Sequence, residues 1–303
     1  MKISIIIPAY NAAGFIRDCL SSVGTVAETV VVDDGSTDGT GAVVARDFPS
    51  VRLLRQENAG VSAARNAGIR QATGDYLVFA DADDMLCEGA VERLLAILET
   101  ASPDIVVMRS FGSASEKYPW SGLFADGTVC SKDEIVRKGW LRGSVCGCAF
   151  RKRYLDESGI SFAEGIPLSE DLVFMSTCLS AGGSVLFKDI PFYQVCEHSG
   201  SASRRMDPDY MRRYSLALGA AKERIQDSAL YVATCRSIIL GMIHLAAPNG
   251  YSPSRLRNEA RLDAVLPLPA IAGSRYFREI RLMNACFPLY FRLKQLRDLC
   301  RRP

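Results

Sequence analysis

Three carboxylates within four residues follow a short apolar run in the first third of the chain. The run spans Tyr76 to Ala80, and Asp81, Asp83 and Asp84 come directly after it. Carboxylates packed this closely repel one another, since a pair about 4 Å apart costs roughly 4 kcal/mol at an effective dielectric near 20. A divalent cation relieves that cost and can bind a phosphorylated ligand at the same time. Taken alone, the stretch indicates either a cation site or a solvated acidic turn.

Alternating strands and helices are the elements that must position these acids. Apolar runs predict strands over residues 3–7, 29–32, 51–54, 76–80 and 105–108, with a helix after each of the first four. Such alternation is typical of a mostly parallel sheet that is flanked by helices on both faces. Ligands of open α/β sheets bind at the carboxyl edge of the strands, where these acids lie. We therefore predict an α/β fold with a ligand site at that edge.

The pattern changes character in the second half of the chain. Residues 111–129 predict loops or short edge strands, 145–150 a buried strand, and 185–195 a strand pair broken by Pro191. Ser169 is the predicted cap of a helix that has Glu170 and Asp171 in its first turn. From Asp207 onward the patterns are helical. We place a boundary near residue 205, between an α/β domain over 1–205 and a helical region over 206–303.

Composition excludes several classes of protein. Of the 303 residues, 48% are apolar and 23% charged, and the net charge of +2 indicates no polyanionic partner, so nucleic acid is not expected. The ten cysteines show no zinc pattern and predict buried free thiols in a reducing compartment. The apolar N-terminus is too short for a signal peptide, which predicts a cytoplasmic protein. Residues 230–247 predict a buried helix, with His244 in the core, rather than a membrane span.

Four motifs follow one another along the chain, each at a strand end or at the start of the next helix. They are Ser4–Asn11, Val31–Asp38, Asn58–Gly60 with Ala64–Gly68, and Gly74–Asp84. A single Asp-Asp-Gly turn would be weak, but the four in this order resemble the GT-A-fold glycosyltransferases of the inverting family 2 type. The resemblance is close over residues 1–110, looser over 140–200, and fades beyond Asp207.

The resemblance implies a nucleotide-sugar donor, with UDP-sugars favoured. Tyr10 would offer a flat surface to the base, with main-chain contacts from Pro8 and Ala9. Asp34 would accept the N–H of a uracil-like ring. Asp33 would brace the loop; for both acids the alternative is helix capping. Arg65 would reach the nucleotide, the alternative being a structural arginine.

The resemblance also implies a metal and a base. Asp81-Ala82-Asp83 fits the Asp-x-Asp motif, in which Asp81 contacts the ribose and the metal site and Asp83 holds Mn²⁺ or Mg²⁺ on the diphosphate. Asp84 would orient the loop. Inverting transfer needs a base for the acceptor hydroxyl. Asp171 fits that role, with Glu170 shaping the acceptor site; the alternative is an ordinary acidic helix start.

His198 is one of only two histidines and follows a predicted strand. Related enzymes carry a loop there that closes over the diphosphate. We predict His198 as a further metal ligand or a phosphate contact, with Arg204 and Arg205 able to pair with phosphate. A plain loop residue is the alternative for each.

Residues 275–302 interleave aromatic and aliphatic residues with eight Arg and Lys. This pattern predicts either an amphipathic helix on an anionic membrane leaflet or a helix packed on the body with a solvated basic face. The first would place the protein at the inner face of the membrane, with a glycan or lipid-linked acceptor.

Two rival functions remain at this stage. A sugar nucleotidyltransferase has a similar sheet, but it would carry a Gly-rich, Arg-containing loop where Pro8-Ala9-Tyr10-Asn11 stands. A non-catalytic member would bind the nucleotide sugar or a partner protein without transfer. Intact Asp81, Asp83 and Asp171 argue against that second rival. The sequence therefore favours an inverting glycosyltransferase with a divalent metal and an Asp base.

Overall fold

One mixed sheet forms the centre of the protein. The computed structural model describes residues 1–112, 116–117, 120, 122–198, 209–246, 249–271, 274 and 276–299. Within this part of the chain the strands are β1 (Ile3–Ala9), β2 (Glu28–Asp33), β3 (Arg52–Arg55), β4 (Tyr76–Phe79), β5 (Met85–Leu86), β6 (Ile105–Phe111), β7 (Glu116–Lys117), β8 (Val129–Cys130), β9 (Cys148–Arg151) and β10 (Val185–Gln194).

Helices flank the sheet and fill the C-terminal region, as the sequence predicts. In the described residues they are α1 (Ile16–Val23), α2 (Thr40–Asp47), α3 (Val61–Gln71), α4 (Ala90–Thr100), α5 (Lys132–Lys138), α6 (Lys152–Glu157), α7 (Glu170–Ser180), α8 (Tyr210–Arg224), α9 (Ser228–Ala246), α10 (Pro253–Glu259), α11 (Phe277–Ala285) and α12 (Phe287–Leu299). The predicted α/β class with a mainly helical C-terminal region is confirmed.

The strand order is β3-β2-β1-β4-β9-β6-β10-β5, and the first four strands run parallel. Ile5 of β1 lies opposite Thr29 of β2 and Val78 of β4, so the carboxyl ends of the three strands meet at one edge. That edge receives Tyr10, Asp34 and Asp81 from three separate segments. The parallel register thus gathers the predicted site residues of the first hundred positions.

β9 brings a fourth segment to the same edge because it runs antiparallel between β4 and β6. Ala149 pairs with Val78 and Cys148 with Val107, so β9 begins where its neighbours end. Residues 142–147, which precede β9, therefore lie beside the acids that follow β4. The sequence predicted a strand here but not its direction.

β10 is one strand, and the predicted pair over 185–195 is wrong. Pro191 has no N–H for the ladder, and the pairing with β6 shifts register on both sides of it. The chain nevertheless stays extended, so the proline makes an irregularity rather than a turn. β10 thereby carries Tyr193 and His198 to the carboxyl edge.

Two hydrophobic layers cover the sheet. One holds β4 and β9 side chains against α7, α8 and α9, and includes Phe79, Phe162 and Phe174. The rings of Phe162 and Phe174 stack at 3.9 Å, and both contact Phe79 edge-on. The C-terminal helices share this layer with the α/β region. Residue 205 lies outside the described residues, and a division there stays a prediction.

α9 is by length and composition the one helix in the described part that could cross a membrane, and 56% of its apolar window is buried in the protein. Its side chains pack in the core, as predicted for 230–247. His244 is exposed, so its predicted core position is wrong. It lies in the last helical turn, where a basic side chain suits the helix dipole. All nine described cysteines are free thiols and six are buried.

α3 packs unusually close to β1, and Gly68 makes this possible. A methyl group at Gly68 would meet Ile6 Cγ2 at 2.3 Å. The helix is thereby held against the sheet at the height that delivers Arg65 to the carboxyl edge.

Gly68→Ala should therefore destabilise the protein by about 1–2 kcal/mol, because the clash with Ile6 outweighs the gain in helix propensity. Urea denaturation measures the change. Gly219→Ala in α8 is the matched control, since nothing lies within 4 Å of the added methyl group. There the propensity gain alone should stabilise by about 0.5–1 kcal/mol. Equal effects at the two glycines would contradict the packing account.

Candidate active site

A buried arginine joins the acids of two distant segments. Arg65 Nη2 lies 3.0 Å from Asp81 Oδ1, and Arg65 Nη1 lies 2.7 Å from Asp171 Oδ1 and 3.3 Å from Glu170 Oε1. The Arg65 side chain is 3% exposed and its Cζ lies 5.2 Å from the centre of the Phe162 ring. The predicted contact between Arg65 and a nucleotide stays a prediction. What the structure shows is a bridge between the acid after β4 and the acids that begin α7.

Neighbouring Asn66 secures the segment that leads to those acids. Its amide donates to Phe162 O at 3.0 Å and Glu164 Oε1 at 2.8 Å, and its carbonyl accepts Phe162 N–H at 2.9 Å. Ser169 stands at the predicted cap position but in the left-handed region (φ 60°), and its side chain makes no capping bond. A non-glycine residue in that region is held there by its surroundings. α3 and the turn at Ser169 together set the direction of Glu170 and Asp171.

Charge and burial shift the pKa values of this cluster. Burial alone would lower the pKa of Arg65, but Asp171, Asp81 and Glu170 outweigh it and raise that pKa. Burial raises the pKa of Asp171 to about 7; Arg65 opposes the shift, while Glu170 and Asp81 add to it. Asp171 Oδ2 also accepts the Val145 N–H at 3.0 Å, which favours the charged form. Asp171 therefore titrates near neutrality, where a carboxylate can serve as a general base.

The acids after β4 divide into three environments. Asp81 is 41% exposed beyond its contact with Arg65. Asp83 Oδ2 lies 2.7 Å from His198 Nε2. Asp84 is buried, and it accepts the Tyr193 hydroxyl at 2.8 Å and the Cys196 N–H at 2.8 Å, which confirms its predicted supporting role. Burial raises the pKa of Asp84 to about 7.

His198 is held from two sides. Its ring stacks on Phe15 of the β1–α1 loop with centroids 4.4 Å apart, and Nε2 faces Asp83. Neutral imidazole and carboxylate oxygen suit Mn²⁺ or Mg²⁺ when further oxygens complete the coordination. No group of three His, Cys, Asp or Glu residues fit to hold a metal occurs in the described ranges. The pair thus fits a cation only with ligand oxygens. Arg204 and Arg205 lie outside the described residues.

The predicted nucleobase residues line the β1 and β2 ends of the same edge. Tyr10 is 55% exposed there, while Pro8, Ala9 and Ala82 are buried. Asp34 Oδ1 accepts Ala59 N–H and the Gln56 amide at 2.9 and 2.7 Å, and Oδ2 accepts Gly60 N–H at 2.8 Å. Asp34 is buried and thus braces the loop before α3; its Oδ2 has a further lone pair beside the one that accepts Gly60 N–H. Asp33 Oδ1 accepts Ser36 N–H at 2.9 Å and braces its own loop.

Sequence reasoning missed two contributors to this edge. Tyr193 accepts the Asp81 N–H at 3.0 Å and donates to Asp84, so one buried phenol links both acids. The Val145 N–H, which binds Asp171, comes from a loop with no motif. A hydroxyl-bearing residue near the end of an apolar strand was a usable signal for Tyr193. A main-chain donor such as Val145 leaves no signal in residue type.

The arrangement has the parts that group transfer requires. It offers an exposed acid pair with an imidazole, an aromatic surface near a carboxylate, and a buried base candidate tied to the acids by Arg65. These groups face one edge of the sheet.

Comparisons with known proteins identify the family of the chain. Residues 4–159, more than half of the chain, match the model of glycosyl transferase family 2. The chain is 29% identical over 235 residues to the uncharacterized glycosyltransferase YibD of Escherichia coli K12, covering 70% of this chain and 68% of that protein. It is 27% identical over 292 residues to the uncharacterized glycosyltransferase EpsJ of Bacillus subtilis, covering 86% and 82%.

Solved structures show the same fold. S. aureus TarS 1–349 in complex with UDP superposes with a TM-score of 0.71 at 19% identity, covering 100% of this chain and 92% of that one. The TarS complex with UDP-GlcNAc gives 0.70 at 20% identity, covering 97% and 90%. These likenesses confirm the predicted GT-A architecture. The chain belongs to glycosyl transferase family 2 and is a glycosyltransferase.

Proposed function

We propose that this enzyme transfers a sugar, with inversion, from a UDP-sugar to a hydroxyl of a glycan or lipid-linked acceptor. The observation that carries the proposal is the Arg65 bridge, which puts the Asp-x-Asp acid and the Glu170–Asp171 pair on one guanidinium. Asp81, which we expect to contact the donor, and Asp171, the candidate general base, therefore lie close to each other. Structural neighbours support the donor class, since TarS is described with UDP and UDP-GlcNAc.

The donor would bind across the carboxyl ends of β1, β2 and β4. Tyr10 would offer its exposed ring to the nucleobase. The buried Asp34 would accept a ring N–H through a lone pair of Oδ2 that the Gly60 N–H does not use. Asp81, exposed beyond Arg65, would contact the ribose. In this proposal Arg65 orients Asp81 and Asp171 and does not contact the nucleobase.

Asp83 and His198 would hold a Mn²⁺ or Mg²⁺ ion, with diphosphate oxygens as further ligands. A bound cation would neutralise the charge that grows on the leaving diphosphate. One neighbour, a mannosyltransferase from Pyrobaculum calidifontis, is described with GDP-Man and Mn²⁺ (TM-score 0.51, 20% identity). The 2.7 Å distance between Asp83 Oδ2 and His198 Nε2 supports this pairing, because it brings a carboxylate oxygen and an imidazole nitrogen together.

Asp171 would remove the proton of the acceptor hydroxyl. As the acceptor oxygen bonds to the anomeric carbon, the bond from that carbon to the diphosphate breaks and UDP leaves. The proton passes to the Asp171 carboxylate, which has lone pairs beyond those used by Arg65 and Val145. Glu170, exposed to 16%, stands beside it on the acceptor side.

Turnover of UDP-sugars should require ionised Asp171. Because its pKa is about 7, kcat/KM should fall about tenfold per pH unit below that value and level off above it. Asp171→Asn should lose at least about 100-fold in kcat. UDP release from a panel of UDP-sugars with an acceptor mixture measures both effects.

Asp83→Ala is the companion variant for donor binding. It should abolish the dependence of turnover on Mn²⁺ or Mg²⁺, because the proposed carboxylate ligand is gone. Glu164→Ala, which removes an acceptor of the Asn66 amide, is the control and should keep the metal dependence. No metal-dependent turnover with any UDP-sugar, together with no effect of Asp83→Ala, would contradict the transferase proposal and favour a non-catalytic binder.

We further propose that the enzyme lies in the cytoplasm, peripherally at the inner face of the membrane, through α11 and α12. The aromatic residues of α12 do not form the proposed membrane surface. Packing against the protein body buries Phe287, Tyr290 and Phe291, as the packed-helix alternative predicts. The outer side instead presents Leu289 and Leu293, at 47% and 46% exposure, with the exposed basic residues Arg278, Arg281 and Arg292. Such a face matches an anionic, apolar surface.

Vesicle co-sedimentation tests this surface. Binding to vesicles rich in phosphatidylserine should exceed binding to pure phosphatidylcholine and weaken with salt. Leu289→Ser with Leu293→Ser should reduce binding several-fold, whereas Leu216→Ser, an equally exposed leucine on α8 (45%), should not. Equal binding to both vesicle types, or an equal loss in the control, would contradict the membrane proposal.

A further inference from the structure

Arg142 is a fully buried arginine that donates hydrogen bonds to main-chain and hydroxyl oxygens. It is 1% exposed. Its Nη2 donates to Ser110 Oγ at 2.7 Å and to Cys146 O, and its Nη1 donates to Met108 O at 3.3 Å. Its Nε donates to Ser144 O at 2.9 Å. Burying a cation is costly. The bonds of Arg142 to Ser144 O and Cys146 O indicate a role in fixing the loop before β9.

The reason lies in the peptide between Ser144 and Val145. Arg142 Nε binds the carbonyl of that peptide, and the N–H of the same peptide is donated to Asp171 Oδ2 at 3.0 Å. The two groups of a trans peptide point in opposite directions, so Arg142 and Asp171 hold its two sides. Donation to the carbonyl also polarises the peptide and strengthens its N–H as a donor.

The next carbonyl along the chain is fixed as well. Cys146 O accepts from Arg142 Nη2, so the guanidinium anchors the main chain on both sides of Val145. Val145 O in turn accepts Cys148 N–H at 3.1 Å, which ties the turn to the start of β9. Gly147 leaves room for this arrangement, because a methyl group there would lie 2.2 Å from Ser110 Oγ and 2.7 Å from Arg142 Nη2.

We propose that Arg142 is a positioning residue for Asp171, acting through the Ser144–Val145 peptide that it holds against the carboxylate. The proposal rests on the proposed role of Asp171 as base. Arg65 fixes one carboxylate oxygen directly, and Arg142 fixes the donor to the other oxygen from behind. The carboxylate is thereby oriented from two sides by two cations, one in contact and one through a peptide.

Loss of Arg142 should weaken the Val145 hydrogen bond and so raise the pKa of Asp171, because that bond favours the charged form. The other groups that face Asp171 stay in place in such a variant. Two neighbouring thiols are neutral, since burial raises their pKa values. The facing groups are Arg65 on α3, Glu170 on α7, Asp81 after β4, and Cys146 and Cys148 at β9.

The test is the titration of Asp171 in the full chain, followed by carboxyl ¹³C NMR and assigned with Asp171→Asn. Arg142→Met should raise the titration midpoint by about one unit and move the acidic limb of kcat/KM with it. At pH 7 the kcat/KM should fall about fivefold, because the ionised fraction of Asp171 drops from about one half to about one tenth. The affinity for UDP, measured by calorimetry, should stay within about twofold. Arg142→Lys keeps the charge but not the planar guanidinium, so its titration midpoint should lie between those of the wild type and Arg142→Met.

Two further variants separate positioning from stability. Ser110→Ala removes one anchor and keeps the guanidinium, so it should shift the midpoint less and in the same direction, even if Arg142→Met fails to fold. Arg151→Met, at the far end of β9 where Arg151 pairs with Asp104, should lower the melting temperature without moving the midpoint. An unchanged midpoint in folded Arg142→Met or Ser110→Ala overturns the inference. If the midpoint shifts but the wild type turns over no UDP-sugar, the inference about Arg142 stands and the transferase proposal is overturned.

Discussion

The buried guanidinium of Arg65 is the contact on which the candidate active site depends. Three carboxylates surround it. Without it they would repel one another, and the two largely buried ones, Glu170 and Asp171, would lose their compensating cation. A buried ion pair of this kind adds little net stability compared with apolar packing, because desolvation offsets most of the attraction. Its value lies in position. One planar side chain fixes the distance between the acid that follows β4 and the acids that begin α7.

Strand direction supplies the rest of the geometry. Parallel β1, β2 and β4 end at one edge and deliver Tyr10, Asp34 and Asp81 there, while Gly68 lets α3 approach β1 closely enough for Arg65 to join them. Antiparallel β9 starts at that edge and presents the loop with Val145. The site is therefore a consequence of where strands end, and its oxygen atoms are oriented by donors from neighbouring loops.

Much of the fold and the acidic residues of the site could be predicted from sequence because both depend on residue type and period. Alternating apolar runs predict the strands, and carboxylates at their ends stand out. What connects them could not be predicted. The partners of Asp171 include a main-chain N–H, which almost any residue type would supply. Residue type also does not reveal whether Arg65 binds a ligand or three carboxylates. Pro191 predicts a break between two strands, although a single extended strand tolerates it at a register shift. Tyr193 was missed because its ring suits an apolar strand and only its hydroxyl reaches the acids.

A double-mutant cycle on Arg65 and Asp171 tests the central contact most directly. The free energies of unfolding of wild type, Arg65→Met, Asp171→Asn and the double variant would be measured in urea at pH 8, where Asp171 is ionised. Arg65→Met alone leaves buried carboxylates unpaired. The stability losses of the two single variants should therefore sum to about 1–3 kcal/mol more than the loss of the double variant. Losses that add within about 0.5 kcal/mol would show that the two residues do not interact, and would contradict a site organised around Arg65.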